Sequence, residues 1–125
     1  MTVTERYIIL FTCIEDQAFG VQEAEMFWRI AADEVYENTG VYISAMICEH
    51  KLICGEMLGC KMDERCVQIV CVRNPSEFHS REVYFELLKR ILVKVKKQMK
   101  NPKAAFTAEQ IEFTYFNSVN ETDTL

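Results

Sequence analysis

Residues 7–14 read Tyr-Ile-Ile-Leu-Phe-Thr-Cys-Ile, a short apolar run of aromatic and β-branched residues. This composition predicts a β-strand, and the run is too short to cross a bilayer. Its apolar residues are consecutive, so side chains on both faces of the strand are apolar. Residues 41–48 and 66–72 are similar runs. All three strands are therefore expected to be buried on both faces.

Two other segments have helical periodicity. Residues 21–38 place apolar side chains at helical intervals and acidic ones near the start, and Asn38-Thr39-Gly40 is a C-terminal stop. Residues 80–100 predict a second helix with Ser80 as its N-cap and lysines crowded into its C-terminal half. Its apolar stripe comprises Tyr84, Leu87, Leu88, Ile91, Leu92, Val95 and Met99.

The remaining segments complete a single sheet. A short strand or hairpin arm is expected within 51–62, and alternating residues predict a final strand at 110–116. The order β-α-β-(β)-β-α-β predicts one α+β domain over residues 1–117, followed by a polar tail at 118–125. Both helices are expected on one face of the sheet. No segment is left to cover the other face, so we expect a second copy of the protein there.

Composition limits the classes of function. The chain has 125 residues, 50% of them apolar, and a formal net charge of −5. These values are typical of one globular domain and argue against nucleic-acid binding. No signal peptide or membrane segment is recognisable, which predicts a cytoplasmic location. We therefore expect all six cysteines to be free thiols.

Cysteine and histidine side chains that could bind a metal lie between residues 48 and 60. Structural zinc sites favour Cys-x2–4-Cys pairs, and this segment contains none. We predict no metal and no cofactor. A nucleophilic Cys–His pair using His50 or His79 stays open, because nothing in the sequence selects a cysteine.

The basic and acidic segments of the chain are expected to face solvent. The basic stretch over residues 89–103 fits a phosphate-binding face or a solvated helix face opposite the acidic first helix. The negative net charge of the whole chain favours the solvated helix face. The paired acids Glu15-Asp16 and Asp63-Glu64 lie at predicted turns, where water is the usual partner.

The layout resembles the tautomerase superfamily. The resemblance rests on the opening strand Tyr7–Cys13, on Thr39-Gly40 closing the first helix, on the second helix from Ser80-Arg81 to Gln98-Met99, and on Glu109–Phe113 as the last strand. It implies a homotrimer with sheets packed around a central axis. A dimer is the second expectation and would favour a ferredoxin-like module. The resemblance also implies a small acidic ligand.

The family's catalytic amino-terminal proline is absent, since position 2 is Thr2. The resemblance then implies that the amine of Thr2 acts as the base and that Arg29, His50 and Lys51 hold the substrate. The expected function is binding or weak isomerisation of a small enolisable acid. The alternative is a non-enzymatic ferredoxin-like protein, such as a phage or bacterial inhibitor, that acts by contacting a macromolecule.

Overall fold

The computed structural model describes residues 2–12, 14, 19–58 and 64–116. They form four strands, two α-helices and one short 3-10 helix in the order β-α-β-β-α-β. The strands are β1 (Thr2–Thr12), β2 (Met46–Leu52), β3 (Glu64–Val72) and β4 (Lys103–Phe113), the helices are α1 (Val21–Thr39) and α2 (Arg81–Gln98), and the 3-10 helix is Glu56–Leu58.

The four strands form one antiparallel sheet in the order β2-β3-β1-β4. Ile69 in β3 lies between Ile9 of β1 and Ile47 of β2, so these three side chains share one face. Both helices pack on that face. This element order with β1 and β3 in the centre is a ferredoxin-like arrangement. It confirms the α+β class and the stated alternative fold, whereas the tautomerase-like assignment is not supported.

Capping hydrogen bonds explain where the helices begin and end. At the start of α1, the N–H of Gly20 donates to Glu23 Oε1 at 2.7 Å. At its end, Gly40 has φ 76°, a conformation that glycine adopts at little cost, and its N–H donates to Tyr36 O. The Ser80 hydroxyl accepts from Val83 N at 3.2 Å, which confirms the predicted N-cap of α2.

The core lies between the sheet and the two helices. Tyr7, Ile9 and Phe11 point into it from β1, and Leu88 and Ile91 reach it from α2. Each such side chain contributes about 1.5–3 kcal/mol when it leaves water.

The opposite face of the sheet, called the open face here, is covered by no described helix. Its side chains alternate with the core residues along the strands, and Met46 at the edge is 66% exposed. The apolar members of the open face are Ile8, Leu10, Met46, Val70 and Val72. The sequence therefore correctly predicted apolar side chains on both faces of the central strands.

Four strand predictions need correction. β1 spans Thr2–Thr12 instead of 7–14, because residues 2–6 pair with residues 109–113 of β4. β2 spans Met46–Leu52 instead of 41–48, because Ile43 is buried in the core without joining the ladder. No strand forms in the described part of 51–62 beyond the end of β2. β4 begins at Lys103, well before the predicted 110. Residues 118–125 and 59–62 lie outside the described part of the chain.

The cysteines are also divided differently from the prediction. Cys66 and Cys71 are free and buried, and Cys48 is free and exposed. Cys54 is disulfide-bonded, so the prediction of six free thiols is wrong for this residue. No helix in the described ranges is both long and apolar enough to cross a membrane.

Candidate functional site

One end of the sheet gathers several chain connections. Leu52 at the end of β2 pairs with Glu64 at the start of β3, and Lys51 pairs with Arg65. On the other side of the sheet, Thr12 closes β1 opposite Lys103. This end, called the loop end here, is where connections converge, and such positions commonly carry binding and catalytic groups.

Glu64 is the unusual residue of the loop end. Its Oε2 atom is buried and has no hydrogen-bond partner among the described residues. A buried carboxylate oxygen without a donor costs about 1–3 kcal/mol or more. Such an atom in a folded protein calls for an explanation, and a cationic ligand would supply one. The sequence interpretation missed Glu64 because an acidic pair before a strand is typical of a solvated turn.

Arg65, next to Glu64, joins α1 to the β2–β3 pair. Its Nη2 donates to the carbonyl of Phe19 at 3.3 Å, and its Nη1 lies 3.8 Å from Glu49 Oε1. A Cβ on Gly20 would lie 3.2 Å from the same guanidinium, so a larger residue there would displace it. These contacts fix the backbone on which Glu64 sits.

A cavity of about 380 Å³ opens between α1 and the edge strand β2. Trp28 forms its inner wall, and the indole N–H donates to Ile43 O at 3.1 Å. The lining offers aromatic surface, one guanidinium, one carboxylate and two hydroxyl groups, a mixture of apolar and polar groups that is common in small-molecule sites. The lining residues are Glu25, Trp28, Arg29, Tyr42, Ser44, Ala45 and Ile47.

The structure brings one cysteine and one histidine together on the open face. Cys48 Sγ lies 3.2 Å from His50 Nε2, and the same nitrogen lies 2.9 Å from Gln68 Oε1. Because the amide oxygen only accepts, Nε2 carries a proton in this arrangement. It therefore has no free lone pair with which to deprotonate the thiol, and the pair is not arranged as an activated nucleophile.

The four predicted site residues are not brought together. Thr2 pairs with Phe113 at the end of β1 opposite the loop end, roughly 33 Å along the strand from Thr12. Arg29 lines the cavity beside β2, on the helix side of the sheet. His50 pairs with Cys66 on the open face and Lys51 pairs with Arg65, so these two residues are near the loop end.

No group of three or more Cys, His, Asp or Glu side chains that could hold a metal ion occurs within residues 2–12, 14, 19–58 and 64–116. The described groups of the loop end and of the cavity offer charge pairing, hydrogen bonding and aromatic contact.

Comparisons with known proteins identify the family. The family model described as SAM lyase matches residues 2–117 of this chain. The chain matches no curated protein. A phage SAM lyase in its apo state superposes with a TM-score of 0.56 at 11% identity, covering 92% of each chain.

A second solved structure is a phage SAM lyase in complex with S-methyl-5′-thioadenosine. It superposes with a TM-score of 0.53 at 10% identity, covering 91% of this chain and 93% of its own. At these identities the two superpositions show a shared fold and nothing more.

These findings overturn the expected function. The tautomerase assignment and the isomerase activity are wrong, because the family model that spans the chain is a different one. The alternative, a non-enzymatic protein that contacts a macromolecule, is not supported either. A β-α-β-β-α-β order occurs in more than one family, so the order alone misled the sequence interpretation. The chain belongs to the SAM lyase family.

Proposed function

We propose that this protein cleaves S-adenosylmethionine and releases S-methyl-5′-thioadenosine, with Glu64 at the loop end as the central polar contact. The family supports the reaction class, and one related phage enzyme was solved with that thioether bound. The observation that carries the assignment to this site is the buried Oε2 atom of Glu64, which lacks a partner among the described residues.

The proposed reaction breaks the bond between the sulfonium sulfur and Cγ of the amino-acid moiety. The electron pair stays on sulfur, and a neutral thioether leaves. As the C–S bond breaks, the carboxylate oxygen of the four-carbon amino-acid fragment attacks Cγ. This attack closes a five-membered lactone and leaves the α-ammonium group unchanged. This route needs no base from the protein. Loss of a Cβ proton would give an alkene instead, and that route would require a base from the protein.

Charge changes during this step define a role for Glu64. In the transition state the negative charge of the substrate carboxylate and the positive charge of the sulfonium both decrease. A protein carboxylate paired tightly with the sulfonium would therefore stabilise the ground state more than the transition state. Glu64 is therefore better suited to bind the α-ammonium group, whose charge does not change. Held there, the amino-acid chain folds so that its carboxylate reaches Cγ, which is catalysis by positioning.

Three residues singled out from the sequence remain proposed substrate contacts. Lys51 lies at the loop end, where it pairs with Arg65 next to Glu64, and can orient the substrate carboxylate. Arg29 lines the cavity with aromatic walls, which suits the adenosyl part. His50 pairs with Cys66 and shares the open face with Glu64, so it can contact a ligand that Glu64 binds.

We also propose that the protein assembles as a homotrimer, with a dimer as the alternative, by covering the apolar open face. Soluble proteins seldom leave such a face in water, and a symmetric oligomer buries it. A cytoplasmic location is part of the same proposal, since S-adenosylmethionine is a small molecule that must be present where the protein acts.

The role of Glu64 is tested by turnover of two matched variants. Glu64→Gln keeps the size of the side chain and removes its charge, and we expect the rate of thioether release to fall by about a hundredfold. Glu56→Gln makes the same change at an exposed residue of the 3-10 helix and should leave the rate unchanged. Equal rates for the two variants would remove Glu64 from the site.

A further inference from the structure

A second cavity lies away from the loop end, between the start of α2 and the edge strand β4. Its volume is about 370 Å³. It is lined by Tyr7, Arg81, Glu82, Phe85, Phe106 and Ala108. Tyr7 lies five residues before Thr12 on β1, or roughly 17 Å from the loop end. We call this space the far-end cavity.

The far-end cavity contains a buried donor without an acceptor. Tyr7 is only 1% exposed, and its hydroxyl has no hydrogen-bond partner among the described residues. Burial raises the pKa of this phenol above its ordinary value, so the hydroxyl is protonated at neutral pH. Leaving such a group unpaired is costly, which indicates a missing acceptor.

The charges around that hydroxyl favour a carboxylate as the acceptor. Arg81 lines the cavity and lies near enough to Tyr7 to lower its pKa against the effect of burial. Arg81 is also the first residue of α2, where the helix dipole is positive. The Glu5 carboxylate also lies close enough to Tyr7 to raise the pKa of the phenol, but both of its oxygens accept hydrogen bonds from Arg73.

The remaining walls define the rest of the ligand. Glu82 places a carboxylate beside Arg81, which favours a ligand that also has a cation. The ring centroids of Tyr7, Phe85 and Phe106 lie 5.7–5.8 Å apart from one another and form one aromatic cluster. Phe106 is 40% exposed, so part of this aromatic surface is open to a ligand.

We propose that the far-end cavity binds a free α-amino acid with a large apolar side chain. Its carboxylate accepts from the Tyr7 hydroxyl and the Arg81 guanidinium, and its ammonium group pairs with Glu82. Its side chain packs on Phe85 and Phe106, and a thioether such as that of methionine makes favourable contacts with aromatic rings. This site is distinct from the loop end and does not rest on the proposed reaction.

Titration calorimetry of the full chain with L-methionine tests the proposal. We expect saturable binding that L-methioninamide, which lacks the carboxylate, and N-acetyl-L-methionine, which lacks the ammonium group, do not reproduce. Saturating S-methyl-5′-thioadenosine should leave methionine binding unchanged, because the two sites are separate. Absence of saturable binding, equal binding of the amide, or displacement by the thioether would each overturn the proposal.

Variants locate the site without relying on activity. Tyr7→Phe removes only an unpaired hydroxyl, so the protein should fold as before while methionine affinity falls about tenfold. Arg81→Gln should weaken binding by at least about the same factor. Arg90→Gln removes a charge from the same helix outside the cavity and should change nothing. Unchanged affinity in Tyr7→Phe would contradict the assignment.

Discussion

Glu5 of β1 and Arg73, just after β3, form a buried ion pair. Arg73 Nε donates to Glu5 Oε1 at 2.7 Å, and Nη2 donates to Oε2 at 3.1 Å. Arg73 Nη1 also donates to the carbonyl of Phe78, and the Thr4 hydroxyl donates to the carbonyl of Arg73. These bonds join the two central strands to the segment that leads into α2, and thereby position Arg81 and the far-end cavity.

Removing one partner of this pair should destabilise the fold strongly. Glu5→Ala leaves the Arg73 guanidinium buried without its counter-ion, and we expect a loss of about 3–5 kcal/mol in the free energy of unfolding. Glu109→Ala is the matched control, because it breaks the exposed pair with Arg6 and should cost less than about 1 kcal/mol. Urea unfolding measures both, and similar losses in the two variants would contradict the role of burial.

The same pair gives the stability of the protein a pH dependence. The hydrogen bond from Arg73 is the main cause that holds the pKa of Glu5 below its ordinary value of 4.5. The ionised carboxylate therefore stabilises the fold fully above pH 4.5, and this contribution is lost as the pH falls through the lowered pKa. Urea unfolding between about pH 2 and 7 should show a steeper acid decline in wild type than in Glu5→Gln. Superimposable pH slopes would show that Glu5 does not carry the effect.

The free cysteines should react at very different rates. Burial raises the pKa of the Cys71 thiol to about 12, so almost no thiolate is present at pH 8. Cys48 is exposed on β2 and free. In the native protein we expect a maleimide to modify Cys48 at least about a hundredfold faster than Cys71, with equal rates in denaturant. Peptide mass spectrometry locates the label, and rapid native labelling of Cys71 would mean that β3 is not held in the core.

The open face should control assembly. Leu10→Asp places a charge among the apolar side chains of that face and should give a species near the 14.6 kDa mass of one chain. Wild type should scatter light as about three times that mass, or twice it in the dimer alternative. Val83→Asp, an equal change at an exposed position of α2, should not alter assembly. A monomeric wild type would refute the proposed oligomer.

The sequence predicted the elements whose signal is local. The apolar stripe of α2 and its Ser80 cap are recognisable without any knowledge of the fold. The start of β4 was missed because residues 103–108 contain three alanines, which have little β-propensity, and their strand forms through pairing with β1. β2 was predicted to begin too early in the sequence. Ile43 is apolar because it packs in the core, and it does not lie in the strand.

The candidate site was harder to predict, because its signal is the absence of a partner. Glu64 in the sequence is one half of an ordinary acidic pair, and only the three-dimensional arrangement leaves its Oε2 buried and without a donor from the described residues. Lys51 was singled out for its charge and lies at the loop end, whereas Thr2 was singled out by a resemblance and lies at the other end of the sheet.

The most direct test of the central claim is a time course of purified protein with S-adenosylmethionine, followed by chromatography and mass spectrometry. We predict that S-adenosylmethionine disappears and S-methyl-5′-thioadenosine appears in equal amounts, together with a four-carbon lactone that carries no oxygen from labelled water. Folded protein that leaves S-adenosylmethionine at the concentration of the protein-free control would contradict the account.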